Sequence, residues 1–203
     1  SVNQSVFEDN RTIGAFKVGS GSGDSPGGAL HGQTVFATDS SFIDNHTESG
    51  TSDGGAIFAA GSAVIRASSF AGNYSDDSHG GAISTGFASI YDSTFTRNTA
   101  DDGGGSVFST SGIRLTNSIA VDSSVSGTAN DLEATTIDFF GNNAVEASVG
   151  TVAGPSFTAT GSQLFSNVGG VVGQFENNNG RLAGPTGLQR TVPTIVLKSG
   201  SNP

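Results

Sequence analysis

Cysteine, methionine and tryptophan are all missing from the 203 residues. Without cysteine there is no disulfide framework and no thiolate metal centre, which closes off stapled mini-scaffolds and zinc ribbons. Positive charge is scarce as well. Eight Lys and Arg face eighteen Asp and Glu, a formal charge of −10, and such a surface repels nucleic-acid phosphates and anionic lipid headgroups. Nucleic acid is therefore not an expected partner. No apolar run approaches the roughly 18 residues of a membrane-spanning helix, so this segment is not expected to insert directly into a membrane. Sustained 3.6-residue periodicity is also absent, which argues against a helical bundle.

What the chain has in quantity is glycine, 31 residues of it, together with Ser, Thr and Asn. That profile suits many short strands separated by tight turns in one elongated domain. Two phrases recur in register. The first is Gly-Gly followed by a small and then an aliphatic residue, at Gly27-Gly28, Gly54-Gly55, Gly80-Gly81 and Gly104-Gly105. The second is Phe-x-x-Asn, running from Phe7 to Asn10, Phe42 to Asn45, Phe70 to Asn73 and Phe95 to Asn98, with Ile119 to Asp122 filling the next step and Phe140 to Asn143 after it. The step from Gly-Gly to the apolar residue is the same from Gly27 to Phe42, Gly80 to Phe95 and Gly104 to Ile119, and one position longer from Gly54 to Phe70. One arc of each repeat is thus nearly constant, and the length variation falls between Asn and the next Gly-Gly.

A period of about 25 residues without a leucine-rich frame or helical connectors predicts an all-β, right-handed parallel β-helix, a β-solenoid with one such repeat per coil. Within the second repeat the expected strands are Gly55–Phe58, Ala63–Arg66 and Ser69–Ala71. Stacked coils lie about 4.8 Å apart, which makes Phe7, Phe42, Phe70, Phe95 and Ile119, with Phe140 as a further candidate, an internal apolar column. Ser5, Ser40, Ser68 and Ser93 form a small polar ladder that Asn117 continues. Asn10, Asn45, Asn73 and Asn98 are expected at sharp corners, because Asn tolerates left-handed backbone and its amide can bond the next coil, with Asp122 a weaker rung. Gly27, Gly28, Gly54, Gly55, Gly80, Gly81, Gly104 and Gly105 are corner glycines required by the backbone. Residues 1–143 read as repeated coils, and residues 144–203 as irregular coils and a cap-like segment of the same domain. The missing initiator methionine suggests a part of a longer protein.

The paired Gly-Gly-Ala-Ile and Phe-x-x-Asn phrases resemble the repeats of the chlamydial polymorphic outer membrane proteins and similar autotransporter-type bacterial surface β-helices. The likeness covers residues 5–125 well and 126–170 loosely. Farther on, Asn179-Gly180, Gly184-Pro185-Thr186 and Ser201-Asn202-Pro203 are similar to the closing segment of large bacterial β-helix proteins, interrupted here by Arg181-Leu182-Ala183. The resemblance implies an exported, outer-membrane-associated or extracellular protein and a structural or adhesive role as stalk, adhesin or assembly subunit. Its implied partners are other protein chains, homomeric or fibre-like assemblies, and a glycan or host-surface ligand.

Parallel β-helices also include polysaccharide hydrolases, lyases and tailspike-like glycan binders, which makes a carbohydrate-active protein the alternative. Asp76-Asp77-Ser78-His79 could supply acid and base groups, yet it sits in the variable loop, where a solvated turn is the simpler reading. No catalytic residue is assigned and no enzyme activity is expected. His31, His46 and His79 occupy different coil positions and do not form a zinc site. Acidic residues recur before the Gly-Gly corners at Asp24, Asp53, Asp76, Asp77, Asp101 and Asp102. No cofactor is expected, with Asp76, Asp77, Asp101 and Asp102 the weak candidates for calcium should stacking bring them together.

Overall fold

The phrase Ser-x-Phe-x-x-Asn sets the course of each coil, because it holds one short strand between two corners. A computed structural model describes residues 1–13, 27–48, 53–141, 143–153, 182–183 and 190–191. Among them there is no helix. The chain winds as a parallel β-helix with three sheets. The long sheet has seven parallel strands, Val2–Asn3, Leu30–Thr38, Ile57–Arg66, Ile83–Tyr91, Val107–Thr116, Leu132–Phe140 and Ser148–Ala153. A first short sheet stacks the Phe strands from Val6–Glu8 to Ala144–Val145, and a second stacks the residues after each Asn from Arg11–Ile13 to Ser124–Val125. Leu30, Ile57, Ile83, Val107 and Leu132 are register partners on successive strands, one coil apart each time, and the turn they define is the expected one of roughly 25 residues.

The expected first and second strands of each coil are one strand. Gly55–Phe58 and Ala63–Arg66 are joined into Ile57–Arg66, and a register shift near Gly61 accommodates the bend. A bulge turns the strand without surrendering its ladder, which is why a glycine there did not end it. The expectation also omitted the second short sheet, whose strands are only two or three residues long.

Inside, the rings of Phe7, Phe42, Phe70 and Phe95 stack with centroids 4.8, 4.6 and 4.7 Å apart and planes within 6°. Parallel in-register pairing imposes that spacing, so identical side chains on one face must meet face over face. Ile119 is not the next member. Ala120 pairs with Phe95 and is fully buried, Val145 follows Ala120, and Phe140 pairs with Thr116 and points outward. By the same shift Ser123, not Asp122, takes the Asn position, leaving Asp122 exposed.

At both corners the backbone leaves sheet geometry, and its amides need other acceptors. The next coil supplies them. Asn10, Asn45 and Asn73 donate their backbone N–H to the Oδ1 of Asn45, Asn73 and Asn98 at 3.2, 3.0 and 3.0 Å. In the ladder the side-chain amide is fully used: Asn73 Nδ2 donates back to the Phe42 carbonyl at 3.1 Å and forward to Asn98 Oδ1 at 2.9 Å. The serine ladder works alike, with the amides of Ser5, Ser40, Ser68 and Ser93 donating to Oγ of Ser40, Ser68, Ser93 and Ser118. It is continued by Ser118 and then Asn143, whereas Asn117 occupies the preceding turn position. The ladder asparagines Asn10, Asn45, Asn73 and Asn98 are not left-handed. The residue before each ladder position is, at Asp9, Asp44, Gly72 and Arg97 and again at Gln4, Asp39, Ala67 and Asp92. Replacing Asn73 by Ala should destabilise the chain by about 1–3 kcal/mol, since it strands the buried amide of Asn45. An unchanged urea midpoint would show that this ladder does not hold the coils.

The Gly-Gly corner divides its labour. Gly80 has φ of 70°, and a Cβ on Gly81 would lie 2.1 Å from the carbonyl oxygen of Gly105 and 2.4 Å from that of Thr99. The first glycine provides the turn and the second the close approach of one coil to the next. The second short sheet ends in an antiparallel pairing of Ser124–Val125 with Thr128–Ala129 through positive-φ Ser126 and Gly127, a primed-type hairpin that covers a strand edge. Of the expected C-terminal segment 144–203, Ala144–Val145 and Ser148–Ala153 continue the parallel sheets and Leu182–Ala183 pairs antiparallel with Arg190–Thr191, while 154–181, 184–189 and 192–203 lie outside the described residues.

Candidate functional site

The short strand Tyr74–Ser75 feeds the variable loop that carries Asp76, Asp77 and His79, and Tyr74 organises the polar groups there. Its hydroxyl lies 2.9 Å from Asp76 Oδ1 and 3.0 Å from Asp101 Oδ2 and donates its one proton between them. Asp101 Oδ2 also accepts the Asp77 amide at 3.0 Å. Burial, then the two carboxylates, push the Tyr74 phenol well above its ordinary range. It remains a neutral donor across any ordinary pH. Beside it the His46 ring lies 4.7 Å away. Burial and then the Arg11 guanidinium hold His46 below its ordinary range, with Asp76 opposing. Arg11 itself pairs with Glu48.

Stacking brings together three of the four calcium candidates. Oxygens of Asp76, Asp77 and Asp101 lie within 4.8 Å of one another, while Asp102 is not in the group. A calcium ion takes about 6–8 oxygens, so these three carboxylates could supply part of a shell and would need further oxygens to complete it. Asp24 lies outside the described residues.

His79 turns away from that cluster. Its Nδ1 lies 3.3 Å from Asp53 Oδ1, its ring lies 4.3 Å from Phe108, and the buried Ser78 hydroxyl donates to the same Asp53 oxygen. In a nucleophilic triad the hydroxyl is bonded to imidazole and the imidazole to the carboxylate. Here the carboxylate stands in the middle, a geometry that orients a loop and does not activate Ser78. His31 packs edge-on to Phe58 at 5.3 Å, so the three histidines occupy separate places.

One polar residue escaped the sequence reading altogether. Asp131 is fully buried in the column occupied by Ala56, Ala82 and Ser106 in earlier coils. Its Oδ1 accepts the Ser123 amide at 3.0 Å and its Oδ2 the Ala147 amide at 2.9 Å. It thereby ends the Asn ladder, which reaches it through Ser123. Burial, reinforced by Glu146 and opposed by the two amides, raises its carboxyl to about 7. The only sequence signal was an acid where the register calls for a small residue, legible once the coils are aligned.

Residues 39–60 match the Chlamydia polymorphic membrane protein (Chlamydia_PMP) repeat. No curated protein and no solved structure matches the chain. The matched stretch contains Ser40, Phe42, Asn45 and Gly54-Gly55-Ala56-Ile57, one strand with its two corners and the glycine corner that follows. Those are the residues that stack, ladder and close each coil, and the chain is a parallel β-helix with one stretch, residues 39–60, similar to the chlamydial polymorphic membrane protein repeat.

Proposed function

We propose that this chain is a rigid β-helical segment of an exported bacterial surface protein, serving as a stalk, adhesin or assembly subunit without chemistry of its own. The observation that carries the reading is where the repeat-defining residues lie. Phe42, Phe70 and Phe95, and Asn45, Asn73 and Asn98, are all fully buried. Residues so placed hold the scaffold together, which leaves contact with the outside to side chains on the outer faces and loops. The match to a membrane-protein repeat supports placement at the cell surface. Val2–Asn3, Val6–Glu8 and Arg11–Ile13 are edge strands of the three sheets among the described residues. Strand edges recruit further strands, and we propose other protein chains, in homomeric or fibre-like assembly, as partners.

The test is a triple variant with Asp76→Asn, Asp77→Asn and His79→Ala. Adhesion to host cells and thermal stability are expected to stay close to wild type. Cleavage of a polysaccharide by the wild-type chain, lost in the triple variant, would replace this reading with an enzymatic one.

A further inference from the structure

The carbonyls of Asp53, His79, Gly103 and Asn130 accept amides of Gly27, Gly54, Gly80 and Gly105, each from the coil before, so these four residues stand in one column beside the glycine corner. Gly103 is the gap in it. Neighbouring coils lie about 4.8 Å apart, and groups from the coils on either side of Gly103 can converge because no side chain stands between them. The point that a Cβ of Gly103 would occupy lies 2.9 Å from Cδ2 of His79, 3.1 Å from Cδ2 of Phe108 and 3.2 Å from Oε2 of Glu133. That glutamate oxygen also accepts Nδ2 of Asn130 at 2.9 Å and the Gly104 amide at 3.3 Å.

Two of these groups are prepared as ligands. His79 has Nδ1 3.3 Å from Asp53 Oδ1, an oxygen that the Ser78 hydroxyl fixes in turn. A carboxylate on one ring nitrogen holds the proton there and leaves the lone pair on the other, the arrangement found behind metal-bound imidazoles. The free Nε2 adjoins Cδ2, the ring atom nearest Gly103, and so lies on that side of the ring. Asn130 is 8% exposed, and among the described residues its Oδ1 is buried without a hydrogen-bond partner. A half-turn of the amide exchanges Oδ1 with Nδ2 and sets the oxygen where the nitrogen now stands, 2.9 Å from Glu133 Oε2. Two such oxygens repel unless a cation joins them, and ligand atoms on one zinc ion are about 3–3.5 Å apart. Charge agrees with this. Among the described residues neither Asp53 nor Glu133 is paired with lysine or arginine, and the chain carries −10.

We propose that His79 Nε2, the Glu133 carboxylate and Asn130 Oδ1 bind a divalent transition-metal ion of the zinc type, with Asp53 orienting the imidazole from behind. An imidazole beside two oxygens suits such an ion better than calcium, which takes oxygens alone, so this site is distinct from the Asp76, Asp77 and Asp101 group. The ion ties the loop before Gly80 to the strand Leu132–Phe140 across the coil between them, a staple that stands whether or not the chain is adhesive.

The test is calorimetric titration of the chelator-treated 203-residue chain with zinc chloride, with melting curves recorded in the presence and absence of the metal. One ion should bind per chain and raise the melting temperature. His79→Ala and Glu133→Gln should each weaken binding at least about tenfold, and Asp53→Asn about tenfold through the imidazole. The pair Asp76→Asn, Asp101→Asn should leave binding unchanged. Asn130→Asp sets a second carboxylate against Glu133 and should bind zinc more tightly than wild type, a gain that loss of fold cannot imitate. The proposal is overturned by absence of binding at millimolar zinc, by binding that survives both His79→Ala and Glu133→Gln, by binding lost in the Asp76→Asn, Asp101→Asn pair, or by Asn130→Asp binding no tighter than wild type.

Discussion

Phe70→Ala is expected to cost about 3–5 kcal/mol, the usual range for a large aromatic removed from a core. Phe70 is fully buried between Phe42 and Phe95, with ring centroids 4.6 and 4.7 Å away. Truncation opens a cavity bounded by two rings that are tied to their own strands and cannot collapse into it. The loss is therefore larger than for a side chain with soft neighbours, and it should be felt on both sides, since each flanking ring loses one stacked face. Thermal or denaturant unfolding of the variant measures it. A melt identical to wild type would mean that the column is not what joins the coils.

Chain stability should fall as pH rises from about 4 towards and through 7, and Asp131 should be the cause of much of the change. Its folded carboxyl is raised to about 7, against about 3.9 for an unfolded Asp. Between those values the native state holds a proton that the unfolded state has released, so the stabilisation is fully present below the unfolded value and is lost on passing the folded one. The span corresponds to a few kcal/mol at most. Asp131→Asn removes the titration while keeping one acceptor for the two amides of Ser123 and Ala147. The variant is expected to have a lower stability at acid pH and a flatter dependence above it. Melting temperatures of both chains from pH 4 to 8 decide the matter, because other carboxylates are common to the two and cancel in the difference. Parallel curves would remove Asp131 from the account.

The coil, its period and its inward Phe and Asn columns were legible in the sequence because a parallel stack repeats its neighbours literally. The slip at Ile119 shows where literal repetition ends. Phe70 stands one position farther from Gly54 than Phe42 does from Gly27 or Phe95 from Gly80. The cause is the bulge, where the strands Ile57–Arg66 and Val107–Thr116 each carry one more residue than Ile83–Tyr91 between them. Repeating from Gly104 the shorter step that joins Gly80 to Phe95 lands on Ile119, apolar and plausible; the bulge moves the inward position to Ala120. A one-residue shift in a strand exchanges its faces, so the same error carried Asp122 into the place of Ser123 and Asn117 into that of Ser118. The left-handed residues were misassigned for a related reason. Asn was credited with the turn that its predecessor makes, since either residue explains a corner and only the hydrogen bonds distinguish them. In the candidate site, the grouping of Asp76, Asp77 and Asp101 followed from stacking, whereas Tyr74 and Asp131 stand out only when their three-dimensional neighbours are known.

The corner ladders run one way. In every rung the backbone amide belongs to the earlier coil and the side-chain oxygen to the later one, from Asn10 and Ser5 onward. Among the described residues the last rungs are the Ser123 amide on the Asp131 carboxylate and the Ser118 amide on the Asn143 amide oxygen. A coil laid before Phe7 would find Oδ1 of Asn10 and Oγ of Ser5 in position to receive its corner amides. The stack therefore has a head and a tail, like a filament with two unlike ends, and end-on joining of two such stacks can satisfy the ladders only when the tail of one meets the head of the other.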